Sequence, residues 1–143
     1  MSFETFVKHF TQEHIPAVRI GKRYYQLPAK LAEVQKKISR DLFCGGIPLG
    51  EEKREFMPSI ALLEMIAMHS DKKAVINKKS AWLFLCGRDV FAGGIISLAV
   101  QSGPVLVQNE LDENLGLGMV ERKGKTLIIK NVLDRGNFLR RER

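Results

Sequence analysis

Apolar residues recur three and four positions apart at the start of the chain, placing Phe3, Phe6, Val7 and Phe10 on one side of a predicted helix. Helical spacing of this kind predicts burial, so these rings read as core and not as base-stacking surfaces. Ala17 to Ile20 and Arg23 to Leu27 then flank Gly21 and Lys22 as a predicted hairpin, with Tyr24 and Tyr25 on opposite faces and one of them left outward. Pro28 suits the opening of a helix whose apolar stripe is Leu31, Val34 and Ile38. The glycines and proline of Cys44 to Glu55 predict a turn or loop, without the glycine and lysine pattern of a phosphate-cradling loop. After Pro58, the residues Ile60, Leu62, Leu63, Ile66 and Ala67 predict a mostly apolar helix, and Lys73 to Asn77 a short strand closing this half.

Near Asn77 to Ser80 the pattern changes from helical to extended. Short runs punctuated by glycine follow: Ala81 to Cys86, Gly87 to Ala92, Pro104 to Gln108, Leu115 to Glu121, Thr126 to Lys130 and Asn137 to Arg141. Many short strands separated by turn residues predict a small barrel that hides its edges by closure. The expected fold is therefore α+β: an N-terminal α/β domain with a small antiparallel sheet over residues 1–77, then a β-barrel over 78–143. Trp82, inside the apolar run AWLFLC, is expected to pack at the junction of the two domains. Asp89, a short acceptor after Gly87, is expected to cap a following helix. Val90 to Asn109 carries no charge for 20 positions, the length of a membrane span, but Gly93, Gly94, Gln101, Ser102, Gly103 and Pro104 break it into strand-sized pieces.

Charge adds a location to this picture. The chain has 143 residues and a net charge of +7. Residues 1–80 carry +5 and 81–121 carry −4, while Arg122 to Arg143 hold eight Lys or Arg against Asp134 and Glu142. The terminal positive charge falls on predicted strands, which would fix it to a folded surface suited to a polyphosphate backbone.

Cys44 and Cys86 stand alone and 42 positions apart, so they read as buried reduced thiols and not as a disulfide or zinc framework. His9, His14 and His69 have no metal-ligand spacing, and Glu51, Glu52 and Glu55 sit among Lys53 and Arg54 as a solvated cluster. No catalytic residue, metal site or cofactor is expected. Glu4 interrupts the start where a signal peptide would be apolar, so the expected location is intracellular.

The order of elements in the second half resembles the PUA domain, a compact RNA-binding β-barrel. The resemblance rests on a strand ending in Gly87, the pair Asp89-Val90, Gly94-Ile95, the Val105 to Val107 strand, the Gly116 to Val120 strand, and Asp134-Arg135-Gly136 followed by Phe138 and Leu139. Gly93 departs from the family, which usually has Pro there. With Lys22-Arg23-Tyr24-Tyr25, the Leu42 to Gly46 stretch and the apolar helix around Ile60 to Met65, nearly the whole chain resembles the Nip-seven family of ribosome-assembly factors. Its start is shorter than in eukaryotic members and closer to archaeal ones, which implies the cytoplasm for an archaeal host and the nucleolus for a eukaryotic one.

That resemblance implies a non-catalytic factor in ribosome biogenesis, acting in pre-rRNA processing and large-subunit assembly. The PUA domain would bind single-stranded or irregular pre-rRNA. The N-terminal domain would dock assembly proteins, with exosome subunits or an rRNA methyltransferase as candidates; no membrane is implied, and the chain is expected to be a monomer outside its complexes. The alternative is a PUA-containing RNA-binding subunit of a translation-initiation or RNA-modification complex. Carried over to this chain, the family's RNA contacts fall on Arg140 and Arg141. Charge clustering adds Lys123, Lys125, Lys130, Arg135 and Arg143, and the approach of the Gly87 to Ile95 region to RNA in PUA domains adds Arg88. Alternation in a terminal strand predicts that Arg140 and Arg141 point to opposite faces.

Overall fold

The computed structural model describes residues 1–38 and 45–141. Two compact units divide the chain, Met1–His69 and Ser70–Arg143.

The first unit is organised by aromatic packing. Helix α1 (Phe3–Phe10) starts at Ser2, whose hydroxyl accepts the Thr5 amide at 3.3 Å. Its expected inner face, Phe3, Phe6, Val7 and Phe10, is buried. Phe3 stacks on Tyr24 with ring centroids 4.7 Å apart and meets Phe56 edge-on at 5.5 Å. Tyr24 belongs to a four-stranded antiparallel sheet of β1 (Val18–Ile20), β2 (Arg23–Gln26), β3 (Ile47–Glu52) and β4 (Phe56–Pro58), paired in that order.

Three expectations for this unit are corrected. Tyr24 and Tyr25 are both buried, because a register shift opposite Gly50 and Pro48 bends the strand and both of its faces are covered. Much of the expected loop Cys44 to Glu55 is strand: Ile47–Glu52 pairs with β2 on one side and β4 on the other, so its glycine and proline sit at the irregular pairing. Helix α2 (Ala29–Lys37) does open after Pro28, but Leu31, Val34 and Ile38 remain exposed. Helix α3 (Ile60–Ala67) is capped by Ser59 and packs on β3 with Leu62, Leu63 and Ile66 fully buried.

The second unit is a six-stranded curled sheet around one core. Its strands are β5 (Lys73–Ile76), β6 (Val90–Phe91), β7 (Ile95–Leu98), β8 (Gly103–Gln108), β9 (Asn114–Lys123) and β10 (Thr126–Asp134), in the order β6-β10-β9-β8-β5-β7. The two edge strands, β6 and β7, are consecutive along the chain and joined only by the 3-10 turn Ala92–Gly94. That short connection curls the sheet into a half-barrel. Strand β5 therefore does not close the first unit; it pairs with β7 and, in parallel, with β8, and the compact units part upstream of it at His69.

Residues Ala81 to Cys86 are not a strand. Asn77 caps helix α4 (Lys78–Leu85) by accepting the Ser80 amide at 2.9 Å, and a short apolar run does not by itself separate helix from strand. Helical spacing sends Ala81 and Phe84 into the core with Val90, Val105, Val107, Val120 and Ile129, while Trp82 is 67% exposed instead of packed. Cys86, expected to be buried, is exposed at the end of this helix, and Cys44 lies outside the described residues. Asp89 caps no helix: its carboxylate accepts the Asn131 amide at 2.9 Å and ties the Gly87–Val90 turn to β10. The Asn131 side chain completes the tie by donating to the Phe84 carbonyl at 2.7 Å.

Candidate nucleic acid interface

The C-terminal stretch Asn137–Arg141 is helix α5 and not a strand, so the expected alternation of Arg140 and Arg141 does not apply. The reason lies in Asp134, a carboxylate only 1% exposed at the end of β10. A buried carboxylate needs a charged or hydrogen-bonded partner. Were the chain to continue as a strand, Arg140 would end roughly 20 Å away, six residues at about 3.3 Å each. The helical turn folds it back, and its guanidinium donates to both Asp134 oxygens, at 2.9 and 2.7 Å, and also to the Leu85 carbonyl. Hydrogen bonding to Asp134 raises the Arg140 pKa above its ordinary value, with burial acting in the opposite direction.

Two glycines make room for this clamp. Gly87 has φ +83°, and a side chain there would press on the Arg140 guanidinium. A Cβ at Gly136 would collide with the Leu85 carbonyl that Arg140 contacts. Arg140 is thus committed to joining α5, the end of α4 and the end of β10. Arg141 follows it in α5, and Arg143 lies outside the described residues.

The remaining cations separate by strand register. On β10, Ile129 faces the core opposite Val120 and beside Val90, so Ile128 and Lys130 face outward. Outward with them stand Phe91, paired with Ile128, Glu121, also paired with Ile128, and Lys123, paired with Thr126 at the hairpin end. Lys130 is neutralised on this face by Glu121 at 2.9 Å. Lys123 and Lys125 flank the hairpin turn at Gly124, are exposed, and enter no ion pair among the described residues. Arg122, on the other face of β9, donates to Gln101 at 2.7 Å. Arg135 is exposed but anchored through its backbone amide to the Leu115 carbonyl at 3.0 Å.

At the opposite end of β6, Gly87, Arg88, Asp89 and Phe91 line an open cleft of about 270 Å³. Arg88 is exposed and enters no ion pair among the described residues; its backbone amide is held by the Leu83 carbonyl at 3.0 Å. Phe91 is 63% exposed, because its strand neighbour Val90 takes the core position. This aromatic was not among the expected site residues. The alternation of Val90 and Phe91 was the available signal, since a buried Val leaves the next side chain outward.

Residues 72–143 match the UPF0113 PUA domain family. The chain belongs to this family. The UPF0113 match covers the whole half-barrel described above from β5 onward, including the clamp, the hairpin and the cleft. A UPF0113 protein of Archaeoglobus fulgidus is 30% identical over 108 residues, an alignment spanning 68% of this chain and 62% of that protein. A solved structure described as a conserved PUA domain protein from Thermoplasma acidophilum is similar with a TM-score of 0.51 and 22% identity, covering 70% of this chain and 72% of that one. The likeness shows a shared fold, and a PUA domain suggests RNA binding. Among the described residues of this UPF0113 chain, no group of three or more His, Cys, Asp or Glu side chains is placed to hold a metal ion. No helix among them is long and apolar enough to cross a membrane.

Proposed function

We propose that this protein is a non-catalytic RNA-binding factor of ribosome biogenesis, acting in pre-rRNA processing and large-subunit assembly. The observation that carries the RNA part is the β9–β10 hairpin: Lys123 and Lys125 project from the end of a paired strand ladder in a PUA half-barrel, with Arg88 just ahead of the edge strand β6 that pairs with β10. Cations held on a scaffold attract a phosphate backbone without first losing the entropy of a flexible tail. Single-stranded or irregular RNA suits the site because the outward face of β6, β9 and β10 offers an aromatic ring and aliphatic surface beside the cations. Phosphate contacts of this kind release counterions, so affinity falls steeply with salt.

The assembly role rests on the resemblance of the whole chain to the Nip-seven family. The first unit would supply protein contacts, and the exposed Leu31 and Val34 on α2, with Ile38 just past its end, are its candidate docking residues. Binding of the purified chain to single-stranded RNA, matched DNA and duplex RNA tests the first part. Loss of preference for RNA in that experiment would sink it. Recovery of large-subunit precursors with the tagged chain from its own host supports the assembly role, whereas recovery of initiating small subunits favours the initiation-complex reading.

A further inference from the structure

We infer that helix α2 is the seat of an acidic amphipathic helix from a partner protein, whose apolar side covers Leu31, Val34 and Ile38 while its carboxylates meet Lys30 and Lys37. The inference rests on the reading that the first unit supplies protein contacts, and it names the chemistry of that contact.

Helix α2 is held by neither of the devices that fix α1, α3 and α4. Each of those three starts at a Ser or Asn side chain that accepts an amide, and each buries two or more residues. Pro28 at the start of α2 makes no side-chain cap; its carbonyl alone accepts, from the Leu31 and Ala32 amides at 2.9 and 3.0 Å. No residue of α2 is buried. A helix of nine residues is marginal in water on its own, so a cover over its apolar stripe supplies order that the described chain does not.

The stripe has a defined edge. Ala32 and Gln35 are half-buried and mark the side of α2 turned toward the protein. At about 100° per residue, Leu31 and Val34 lie next to that side, and Lys30 and Lys37 lie beyond Val34, toward solvent. Ile38, just past the helix end, continues the line of the stripe. Leu31 and Val34 are 51% exposed and Ile38 45%, so about half of each remains to be covered. Lys30 and Lys37 stand two turns apart on one edge, roughly 10 Å along the axis. With Lys36 they outnumber Glu33 three to one, all four are exposed, and none enters an ion pair among the described residues.

This pattern asks for the same spacing with the opposite charge. Leu31, Val34 and Ile38 fall at i, i+3 and i+7, the anchor spacing by which one amphipathic helix reads another. Carboxylates two turns apart on the incoming helix then meet both lysines. A second copy of this chain, with a net charge of +7, would set like charges against each other. Phosphates would take the lysines and leave the stripe in water. Helices that lie on membranes use Trp or Phe on the apolar face, and α2 has neither.

The test is an NMR titration of the isotope-labelled full chain with an eighteen-residue helical peptide of Leu, Ala and Glu, with Leu along one face and Glu along its edges. A peptide with Lys in place of every Glu, phosphatidylglycerol vesicles and twelve-nucleotide oligo-U run beside it. The acidic peptide should shift the amides of Ala29–Lys37 and of Ile38 and strengthen their helical carbon shifts, while the basic peptide leaves them in place. Lys30→Glu/Lys37→Glu should weaken the acidic peptide about tenfold or more and turn the preference toward the basic one. Leu31→Ser/Val34→Ser should weaken the acidic peptide roughly tenfold. Because α2 buries no residue, both variants should melt like the wild type and keep its RNA affinity. No shift in residues 29–38 at millimolar acidic peptide, or equal binding of the two peptides, overturns the inference. Shifts there caused by vesicles or oligo-U and not by the acidic peptide overturn it in favour of that ligand. A chain that binds the acidic peptide on α2 yet recovers no large-subunit precursors from its host keeps this inference and removes the assembly role; recovered precursors beside a silent α2 do the reverse.

Discussion

The β9–β10 hairpin and helix α5 are both rich in Lys and Arg, yet they use their charge differently. At the hairpin, Lys123 stands in solvent on the last strand pair, opposite Thr126, and Lys125 in the turn beyond it, with no carboxylate committed to either among the described residues. In α5, the Arg140 guanidinium is spent on the buried Asp134 and the Leu85 carbonyl. A cation already neutralised by a fixed carboxylate contributes little field to an incoming phosphate, and removing it damages the scaffold. Net charge by segment therefore overstates what Arg140 offers a phosphate, but not what Lys123 and Lys125 offer.

The sharpest way to break this comparison is to fill the space around the clamp. Gly136→Val should cost more stability than any other change considered, because its side chain must displace the Leu85 carbonyl. We expect loss of soluble folded protein or a melting temperature lower by roughly 10 °C or more. Arg140→Ala comes next, with an unpaired Asp134 in the core and a melting temperature lower by roughly 5 °C or more. Its amide exchange should accelerate in α5 and at the end of α4, while RNA affinity measured well below the melting temperature changes far less than stability.

The hairpin should behave in the opposite sense. Lys123→Ala/Lys125→Ala should leave stability within about 0.5 kcal/mol of wild type, as surface substitutions do. It should weaken RNA binding on the order of tenfold and flatten the log–log salt dependence by about 1.4, two single-strand phosphate contacts at about 0.7 each. Lys130→Ala lies between the two cases: its pair with Glu121 is half exposed, so melting and binding should both move only slightly.

The smallest expected effect lies in the first unit. Burial first, and then the Glu52 carboxylate that accepts the Tyr24 hydroxyl at 3.3 Å, raise the Tyr24 pKa against a lowering by Arg19. A phenol whose folded pKa is raised stabilises fully below its unfolded value near 10, and that contribution is lost as pH rises through the folded pKa. Tyr24→Phe should therefore remove part of the stability lost in alkali above about pH 10, visible in urea titrations at pH 9 and 11.

Periodicity made much of the architecture legible. The inner face of α1 follows from helical spacing, and the β1–β2 hairpin and the β8 to β10 strands follow from short apolar runs bounded by turn residues, although β2, β8 and much of β9 are buried on both faces. Two segments did not follow. AWLFLC carries no alternation to separate strand from helix, and only the Asn77 cap upstream decides it. NFLRR has the composition of a strand, but its conformation is set by a carboxylate three residues before it that must be paired. The site was legible to the same degree. The hairpin lysines come from charge and turn chemistry, whereas the commitment of Arg140 and the exposure of Phe91 depend on contacts between segments distant in sequence.

The most direct test of the central claim is salt-titrated RNA binding by wild type, Lys123→Ala/Lys125→Ala and Arg140→Ala, run beside melting curves for the same three proteins. The account predicts that the lysine pair loses affinity and salt slope with its melting temperature intact, while Arg140→Ala loses melting temperature and keeps most of both. A stable Arg140→Ala protein with its RNA affinity and salt slope reduced, beside an unaffected lysine variant, would contradict it.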